Sequence, residues 1–389
     1  MTEVRIAGAA RTAYGRFPDR SFGELTRQAL TACLRDAGAD PTDIGAVYFA
    51  NAGQGATTGQ HTIRGQVALR DTGLAGVPVF NVENACASGA SAFHLAHTAI
   101  RAGQVDVALA IGVEQLSIAD RSTAAHLFDG GIDVANRDRD LERLGVRLGD
   151  GTVFMAIYAA LARDHGLEPR QLAAVAAKNR GHAALNPLAT YRKPLTVAEI
   201  LADRVIAAPL TKPMCAPIGD GAAAILLCRK GSRFDNERAV RVRASVVASA
   251  TEREPGDDAD HIGRRLARIA YAQAGIGPAD IALAEVHDAT AAGEILQTGF
   301  LGLADPDAAA RGETALGGRL PVNTSGGLEC NGHPIGATGL GQLYELVTQL
   351  RGEAGARQVA GARIGLAENG GGFLGVEEAA AAVTILEAP

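Results

Sequence analysis

The sequence of 389 residues lacks tryptophan, and aromatic residues make up only 4% of it. Few rings are therefore available to stack on bases, and the formal net charge of -6 disfavours non-specific binding to a polyanion. We expect no nucleic-acid partner, although this balance leaves room for a local basic patch that holds a phosphorylated ligand.

Cysteine is scarce as well, and its odd count argues against a disulfide framework. The five cysteines are Cys33, Cys86, Cys215, Cys228 and Cys330. They form no CxxC pair, and their spacings match no zinc signature. Free thiols in a chain of this size are typical of a reducing compartment, so we expect a cytoplasmic protein without a metal centre.

Long apolar stretches are also missing, since no uninterrupted run of 18 apolar residues occurs. Met1 leads directly into an apparent strand, Val4–Ala9, without the basic start and apolar core of a secretory signal. We therefore expect no membrane span. Hydrophobic residues at 47% and charged residues at 21% are typical of a globular protein, and the length fits two domains or one large double-layered unit.

Short β-like runs alternate with segments of helical period through most of the chain. Apolar residues recur every three or four positions in Phe22–Ala37 and Ala87–Ala102, which predicts two helices. Strands are predicted at Val4–Ala9, Val47–Ala50, Val79–Val82, Val105–Ile111, Ala222–Cys228, Val240–Ala248, Ile281–Val286, Ala362–Leu366 and Ala381–Leu386. This alternation indicates an α/β architecture with mainly buried strands.

The segment from about Ser117 to Val205 differs, because its pattern is mostly helical and more charged. We interpret it as a helical insertion between two strand-rich parts. Each of its cations alone is typical of a solvated helical face. The set that is a candidate to meet an anionic ligand consists of Arg163, Arg170, Lys178, Arg180, Arg192 and Lys193.

One internal echo links the two strand-rich parts. The residues ACASGASAFHLAHTAIRAG around Cys86 and GHPIGATGLGQLYELVTQLRGEAG around His333 each form a turn of small residues with one reactive side chain. A helix of about four turns follows each turn. Such a repeat predicts a duplicated α/β unit that presents chemistry at two helix N-termini.

Cys86 follows the predicted strand Val79–Val82 and starts a helix among small residues. A helix N-terminus stabilises a thiolate, so we expect the pKa of this thiol to lie below its free value of about 8.5. A lone cysteine is more often buried and inert, and for Cys86 taken alone this alternative stays open. His333, held in a loop between Gly332 and Pro334, is suited to take the proton of a nearby thiol.

His287 ends the predicted strand Ile281–Val286, at the sheet edge where α/β proteins bind ligands. It is suited to donate to a thioester oxygen; the alternative is a cap on the next helix, a role that we assign rather to Asp288. Glu368 precedes the glycines Gly370–Gly372, whose N–H groups suit an oxyanion. A desolvated Glu368 would have a raised pKa that suits acid/base work, and the alternative is a surface glutamate at a turn.

Taken together, these segments resemble the thiolase superfamily over essentially the whole chain. Asn84–Gly89 is similar to its nucleophile loop, and Gly326–Gly339 is similar to its Gly-His-Pro-x-Gly-Ala-Thr/Ser-Gly signature. Asp220–Ala224 is similar to a further family stretch. The pair His287 and Asp288 resembles the His-Asp loop of the sterol-carrier-protein type and of archaeal acetoacetyl-CoA thiolases.

The resemblance implies a duplicated thiolase fold, in which two α/β halves form a five-layer αβαβα sandwich with a helical insertion. It implies an N-terminal half that consists of residues 1–118 and, as its end, residues 206–240. A helical loop domain over 119–205 is inserted in this half, and the C-terminal half covers 241–389.

The resemblance also implies a mechanism. Cys86 would attack a 3-oxoacyl-CoA while His333 takes its proton, and cleavage of a carbon–carbon bond would leave an acyl-enzyme that a second CoA resolves. In reverse, the sequence of steps is a Claisen condensation. His287 and His333 would stabilise the enolate oxygen, and the backbone N–H groups of Cys86 and Gly370 would form a second oxyanion hole.

Two departures from the family concern the residue that moves the α-proton. Common thiolases carry a second cysteine in a Cys-x-Gly turn, where this chain has Glu368, Asn369 and Gly370. The sterol-carrier type carries a cysteine after His-Asp, where this chain has Ala289. We therefore predict that Glu368 moves the α-proton. Cys330 is the alternative, although the register of the signature gives that position no catalytic role.

Coenzyme A and acyl-CoA are the ligands that the resemblance implies, as substrates and not as cofactors. We assign their binding to Arg192, Lys193, Ser325 and Gly326. Thiolases pair through their core sheets, so a homodimer or a tetramer is expected. Archaeal relatives often work with a small zinc-ribbon/OB-fold protein, and a separate polypeptide of this kind is a further expected partner.

Two other functions stay open. A decarboxylating or retro-aldol condensing enzyme on the same scaffold is one, because decarboxylating ketosynthases have a Cys-His-His set and need no α-proton base. A non-catalytic acyl-CoA or lipid carrier is the other. The intact set of Cys86, His287 and His333 argues against a carrier, which has no use for a primed thiol.

Overall fold

The computed structural model of the chain describes residues 2–117, 121–148 and 151–389. The strands are β1 (Val4–Arg11), β2 (Ala46–Ala50), β3 (Val79–Val82), β4 (Val107–Glu114), β5 (Val205–Ala207), β6 (Leu210–Thr211), β7 (Gly221–Arg229), β8 (Val240–Ser249), β9 (Leu283–Glu285), β10 (Ile364–Gly371) and β11 (Ala380–Glu387). The helices are α1 (Phe22–Ala37), α2 (Gln54–Thr58), α3 (Arg64–Ala68), α4 (Ser88–Arg101), α5 (Arg121–Asp129), α6 (Arg137–Arg143), α7 (Val153–Asp164), α8 (Pro169–Ala184), α9 (Val197–Leu201), α10 (Ile262–Ala274), α11 (Ala291–Phe300), α12 (Gly327–Asn331) and α13 (Thr338–Leu350).

Nine strands follow one another in the order β3-β2-β4-β7-β1-β8-β11-β10-β9. The contact between β1 and β8 is short, with the pairs Arg5–Arg241 and Ile6–Val240, and it divides the sheet into two halves. Within the first half, β2 runs parallel to β3 and β4, and β7 runs antiparallel to β4 and β1. The second half repeats this plan, because β10 runs parallel to β9 and β11 runs antiparallel to β10 and β8.

Helices cover both faces of each half-sheet. α1 packs its apolar side, including Leu25 and Leu30, on the outer face of the first half-sheet. α10 packs Leu266 on the outer face of the second. Between them, α4 and α13 share one buried cluster through residues such as Phe93 and Leu343. The predicted five-layer αβαβα sandwich of two duplicated halves is confirmed.

The helical insertion is formed in its described parts by α5 to α9. Its core joins Leu172 of α8 and Ile200 of α9 to Leu296 of α11, so it sits on the C-terminal half. The predicted boundary between residues 118 and 119 lies outside the described residues, and the other domain limits stay predictions. In the described part of the chain, every helix is too short or too polar to cross a membrane.

Candidate active site

Cys86 lies in a tight turn between β3 and α4, and its residue is 9% exposed. The turn is locked by Ser88, whose Oγ donates to the carbonyl of Ala85 at 2.6 Å and accepts from the N–H of Asn84 at 2.9 Å. Ala85 has a φ of 47°, in the left-handed region that a residue with a Cβ rarely adopts. Such backbone strain clusters at active sites, where the surrounding structure holds it in place.

His333 reaches Cys86 from the loop that precedes α13. Its Nε2 lies 3.1 Å from Cys86 Sγ. The loop is fixed because the N–H of His333 donates to the carbonyl of Pro217 and the N–H of Gly336 donates to Glu114 Oε2 at 3.0 Å. The structure thus brings together Cys86 and His333, the reactive side chains of the two similar segments in the sequence.

His287 completes this group after the end of β9. Its ring lies 5.1 Å from the ring of His333, in an edge-to-face arrangement. The side-chain amide of Asn369 donates to His287 Nδ1 at 3.1 Å, so the proton of a neutral His287 ring resides on Nε2. The sulfur of Cys86 and one nitrogen of each histidine lie within 4.8 Å of one another, a spacing that would also allow them to ligate a soft metal ion.

Burial determines the protonation states of Cys86, His333 and His287. It raises the pKa of Cys86 to about 12, with a smaller contribution from the carboxylate of Glu114. It lowers the pKa of His333 well below its usual value, and the neighbouring His287 adds to this effect. The pKa of His287 falls to about 4, also by burial. The predicted lowering of the thiol pKa was wrong, because desolvation outweighs the helix N-terminus, and the pair is a neutral thiol beside a neutral imidazole.

The glycine-rich segment at the end of β10 passes directly over the nucleophile turn. A Cβ at Gly371 would lie 2.3 Å from the carbonyl oxygen of Asn84 and 2.4 Å from the nitrogen of Ala87, so only glycine fits there. The N–H of Gly372 faces the sulfur of Cys86 and favours its thiolate. Gly370, which was predicted as a donor to the oxyanion, lines a small cavity together with Cys86 and His333, which we call the catalytic cavity.

Glu368 is buried on β10, with 1% of the residue exposed, so the alternative of a surface turn was wrong. Its Oε2 accepts from the N–H of His287 at 3.0 Å, and its Oε1 has no hydrogen-bond partner among the described residues. Burial and the nearby Glu378 raise the pKa of Glu368 to about 8. This carboxyl group therefore has the raised pKa that its predicted role needs.

Glu378 is a functional candidate that the sequence analysis missed. It precedes β11, is buried, and lines the catalytic cavity together with Cys86, His287 and His333. Burial raises its pKa to about 7. The only signal in the sequence was the pair Glu377 and Glu378 directly before an apolar strand, where carboxyl groups are uncommon.

Three other predicted residues do not line the catalytic cavity. Cys330 is buried in a small cluster with Ala183 and Ala189. Ser325 donates from its Oγ to Glu285 Oε2 at 2.6 Å and lines a separate small cavity, and Gly326 packs closely against Ala183. The structure therefore does not bring them into the catalytic group.

Asp288 does not cap the helix that follows it. The side chain of Thr290 accepts from Gly293 at the start of α11 and so caps that helix. Asp288 instead accepts from the N–H of Leu328 at 2.7 Å, within α12. The predicted cap was therefore wrong, because the chain continues for two more residues before α11 begins.

Two neighbouring cavities share part of their lining, and the smaller one contains Cys86. The catalytic cavity itself measures about 30 Å³ and has aromatic walls, formed by Phe128, Phe154 and Tyr158. Phe128 and His333 also line a second cavity of about 440 Å³, whose other walls come from the insertion and from the segment 206–218 that follows it. A cleft of this size holds a small-molecule ligand.

The cations of the larger cavity agree only in part with those predicted. Arg180, which belongs to the predicted set of insertion cations, lines it together with Arg204 and Lys212. Arg192 and Lys193 are exposed and are not among its lining residues. The lining cations lie on separate elements, so their convergence could not be found from spacing along the chain.

Family comparisons agree with this geometry. The family model described as "Thiolase, N-terminal domain" matches residues 4–203, and the one described as "Thiolase C-terminal domain-like" matches residues 257–388. The chain is 36% identical over 384 residues to an acetyl-CoA acetyltransferase of Methanothermobacter thermautotrophicus, covering 96% of this chain and 97% of that one. It is 33% identical over 371 residues to the benzoylsuccinyl-CoA thiolase subunit BbsB of Thauera aromatica, covering 92% and 91%. Sterol carrier protein 2 of Gallus gallus is 30% identical over 393 residues, covering 94% of this chain and 69% of that one.

Two solved structures share the fold. The Ltp2-ChsH2(DUF35) aldolase superposes with a TM-score of 0.80 at 22% identity, over 99% of this chain and 98% of that one. Human mitochondrial 3-ketoacyl-CoA thiolase superposes with a TM-score of 0.74 at 16% identity, over 100% and 99%.

The sandwich of two halves and its cysteine–histidine site define an acyltransferase of the thiolase type. The chain belongs to the thiolase family, and its similarity to the archaeal enzyme and to sterol carrier protein 2 confirms the branch that the sequence predicted.

Proposed function

We propose that Cys86 is the nucleophile of a thiolase reaction, in which it takes up the acyl group of a 3-oxoacyl-CoA and passes it to CoA. The observation that carries this proposal is the 3.1 Å contact between His333 Nε2 and Cys86 Sγ. Because both groups are neutral at pH 7, the thiolate forms when His333 takes the proton during attack. His333 is thus the general base of acylation.

The developing oxyanions meet two sets of donors. His287 Nε2–H, with its proton placed by Asn369, and the ring of His333 stabilise the enolate oxygen of the departing acyl-CoA. The backbone N–H groups at the nucleophile turn and at Gly370 and Gly372 stabilise the thioester oxygen on Cys86. A buried carboxyl group near Gly370 moves the α-proton, a role that the sequence assigns to Glu368.

The sizes of the two cavities indicate which part of the substrate each one binds. The catalytic cavity of about 30 Å³ accepts a group the size of about two water molecules, which favours an acetyl group on Cys86. The cavity of about 440 Å³ accepts the pantetheine arm, and its cations Arg180, Arg204 and Lys212 neutralise the phosphates of CoA. CoA acts as a substrate, and the reaction as proposed uses no cofactor.

We further propose a cytoplasmic homodimer or tetramer. β3 forms one end of the long sheet, and its Phe80 is 51% exposed, so this strand is available to pair with a second copy. A separate small partner protein is also proposed, because the Ltp2-ChsH2(DUF35) aldolase is by its title a two-component assembly and BbsB is described as a subunit.

Mass spectrometry of the intact protein tests the nucleophile. After incubation with acetyl-CoA or a short 3-oxoacyl-CoA, we expect a single acyl adduct that a peptide map places on Cys86. Cys86→Ala should lose the adduct, whereas Cys330→Ala, altered outside the catalytic cavity, should retain it. An adduct that persists in Cys86→Ala would overturn the proposal.

A further inference from the structure

Two buried carboxyl groups flank Gly370, and they differ in what they face. The position that a Cβ of Gly370 would occupy lies 2.8 Å from Cγ of Glu378 and 3.6 Å from Oε1 of Glu368. Glu378 is among the residues that line the cavity beside Cys86, and Glu368 is not. Glu368 is instead fastened by its Oε2 to the backbone N–H of His287.

From this arrangement we infer that Glu378 is the acid/base that exchanges a proton with the α-carbon of the acyl-CoA. The inference rests on the proposed thiolase reaction and assigns its α-proton step to the carboxyl group that faces the reacting atoms. In that cavity a substrate carbon comes within reach of Glu378, Cys86 and His287 together.

The hydrogen bonds of Glu378 leave one oxygen for this work. Gln297 Nε2 donates to its Oε1 at 2.7 Å and fixes the carboxyl plane. Its Oε2 makes no hydrogen bond with any described residue, although His261 Nε2 lies 3.4 Å from it. A buried carboxyl oxygen without a hydrogen bond is costly, and such an atom in a native site points to a catalytic role or a bound group.

Glu378 also lines another small cavity, whose lining does not include Cys86. His261 Nδ1 accepts from the N–H of Gly263, so Nε2 of this ring carries the proton, 3.4 Å from Glu378 Oε2. His165 and Asp258 form the outer part of this cavity, and their side chains are 23% and 28% exposed. Glu378 can therefore exchange its proton with solvent through this cavity while a substrate fills the catalytic one.

The proton balance closes over one catalytic cycle. In cleavage, the thiolate of Cys86 forms a bond to the 3-oxo carbon, the carbon–carbon bond breaks, and the carboxylic acid of Glu378 gives its proton to the enolate carbon. The resulting carboxylate takes the thiol proton of the incoming CoA, whose sulfur attacks the acyl group and releases Cys86. Cys86 then recovers its proton from His333. In condensation the carboxylate of Glu378 removes the α-proton of acetyl-CoA.

Exchange of the methyl hydrogens of acetyl-CoA in D₂O isolates this step from the acylation of Cys86. We expect Glu378→Gln to lower the exchange rate at least about 100-fold, because general acid/base groups contribute 10²–10⁴-fold. Acetylation of Cys86, measured by intact mass on the same sample, should persist. Glu378→Asp, which keeps the carboxyl group, should recover part of the rate, and the exposed control Glu254→Gln should match the wild type.

Glu368→Gln decides between the two carboxyl groups, and it should keep exchange within about tenfold of the wild type. A loss of about 100-fold in Glu368→Gln, with normal exchange in Glu378→Gln, would overturn the inference and assign the step to Glu368. Exchange absent from a wild-type protein that is acetylated on Cys86 would overturn it too. A wild-type protein that acquires no acetyl group would instead refute the proposed function.

Discussion

The two halves of the molecule share one plan but supply different chemistry. In the N-terminal half, the loop before the central helix α4 carries a thiol at Cys86; in the C-terminal half, the loop before the central helix α13 carries an imidazole at His333. Because α4 and α13 pack together between the two half-sheets, the two loops meet, and Nε2 lies 3.1 Å from Sγ. Duplication of one folding unit has thus produced a site that neither half contains alone.

The halves also differ in how much of the site they supply. The N-terminal half contributes the nucleophile turn and Glu114, which holds the histidine loop through the N–H of Gly336. The C-terminal half contributes both histidines, the glycine-rich segment and the two buried carboxyl groups. In the proposed mechanism one half holds the acyl group while the other moves the protons, and this division can be tested.

The largest effect is expected at the proton transfer from Cys86 of the N-terminal half to His333 of the C-terminal half. His333→Asn removes the proposed general base and should slow acylation of Cys86 by about 10²–10⁴-fold. The rate is measured by intact mass spectrometry of samples quenched at successive times after mixing with acetyl-CoA. The exposed control His61→Asn should have no effect.

A double variant sharpens the same comparison. For transfer of the acyl group, in which His333 serves the thiol, Cys86→Ala with His333→Asn should be no less active than Cys86→Ala alone, since groups that act as a unit are not additive. A further loss in the double variant would show that His333 also has a role without the thiol.

The pH dependence of alkylation tests the charge state of the pair. Burial raises the pKa of Cys86 to about 12 and lowers that of His333, so at pH 7 the thiol is protonated and the ring is neutral. The reactive thiolate increases as pH rises, and the rate of iodoacetamide labelling at Cys86 should climb roughly tenfold per pH unit between pH 7 and 9. Peptide mapping against Cys86→Ala locates the label. A rate that is flat between pH 6 and 8 would instead show a preformed thiolate–imidazolium pair.

The strands, helices and motif loops of the two halves were predicted well from the sequence, because hydrophobic periodicity and local motifs determine them. The strand Val79–Val82 and the helix Phe22–Ala37 are found with their predicted bounds, and the His333 loop lies where its glycines and proline indicated. β9 is shorter than its predicted range, Ile281–Val286, since only Leu283–Glu285 pairs with β10.

What the sequence could not supply depends on burial and on contacts between distant segments. The thiol pKa was expected to fall, and desolvation raised it. Glu378 lies far from Cys86 along the chain, and only the approach of the C-terminal half to the nucleophile turn makes it part of the cavity. Arg204 and Lys212 of the larger cavity were missed for the same reason.

The smallest expected effect tests how rigidly the two halves meet. Gly371→Ala would place a methyl group 2.3 Å from the carbonyl oxygen of Asn84, so the turn that carries Cys86 must shift. Such overpacking should lower the free energy of unfolding by about 1–3 kcal/mol, measured by urea denaturation. The matched control is Gly181→Ala in α8, where a Cβ has no heavy atom within 4 Å and should stabilise the helix by about 0.5 kcal/mol. If Gly371→Ala proved as stable as the wild type, the contact between β10 and the nucleophile turn would be able to adjust. The 3.1 Å contact between His333 Nε2 and Cys86 Sγ could then not depend on a rigid interface between the halves.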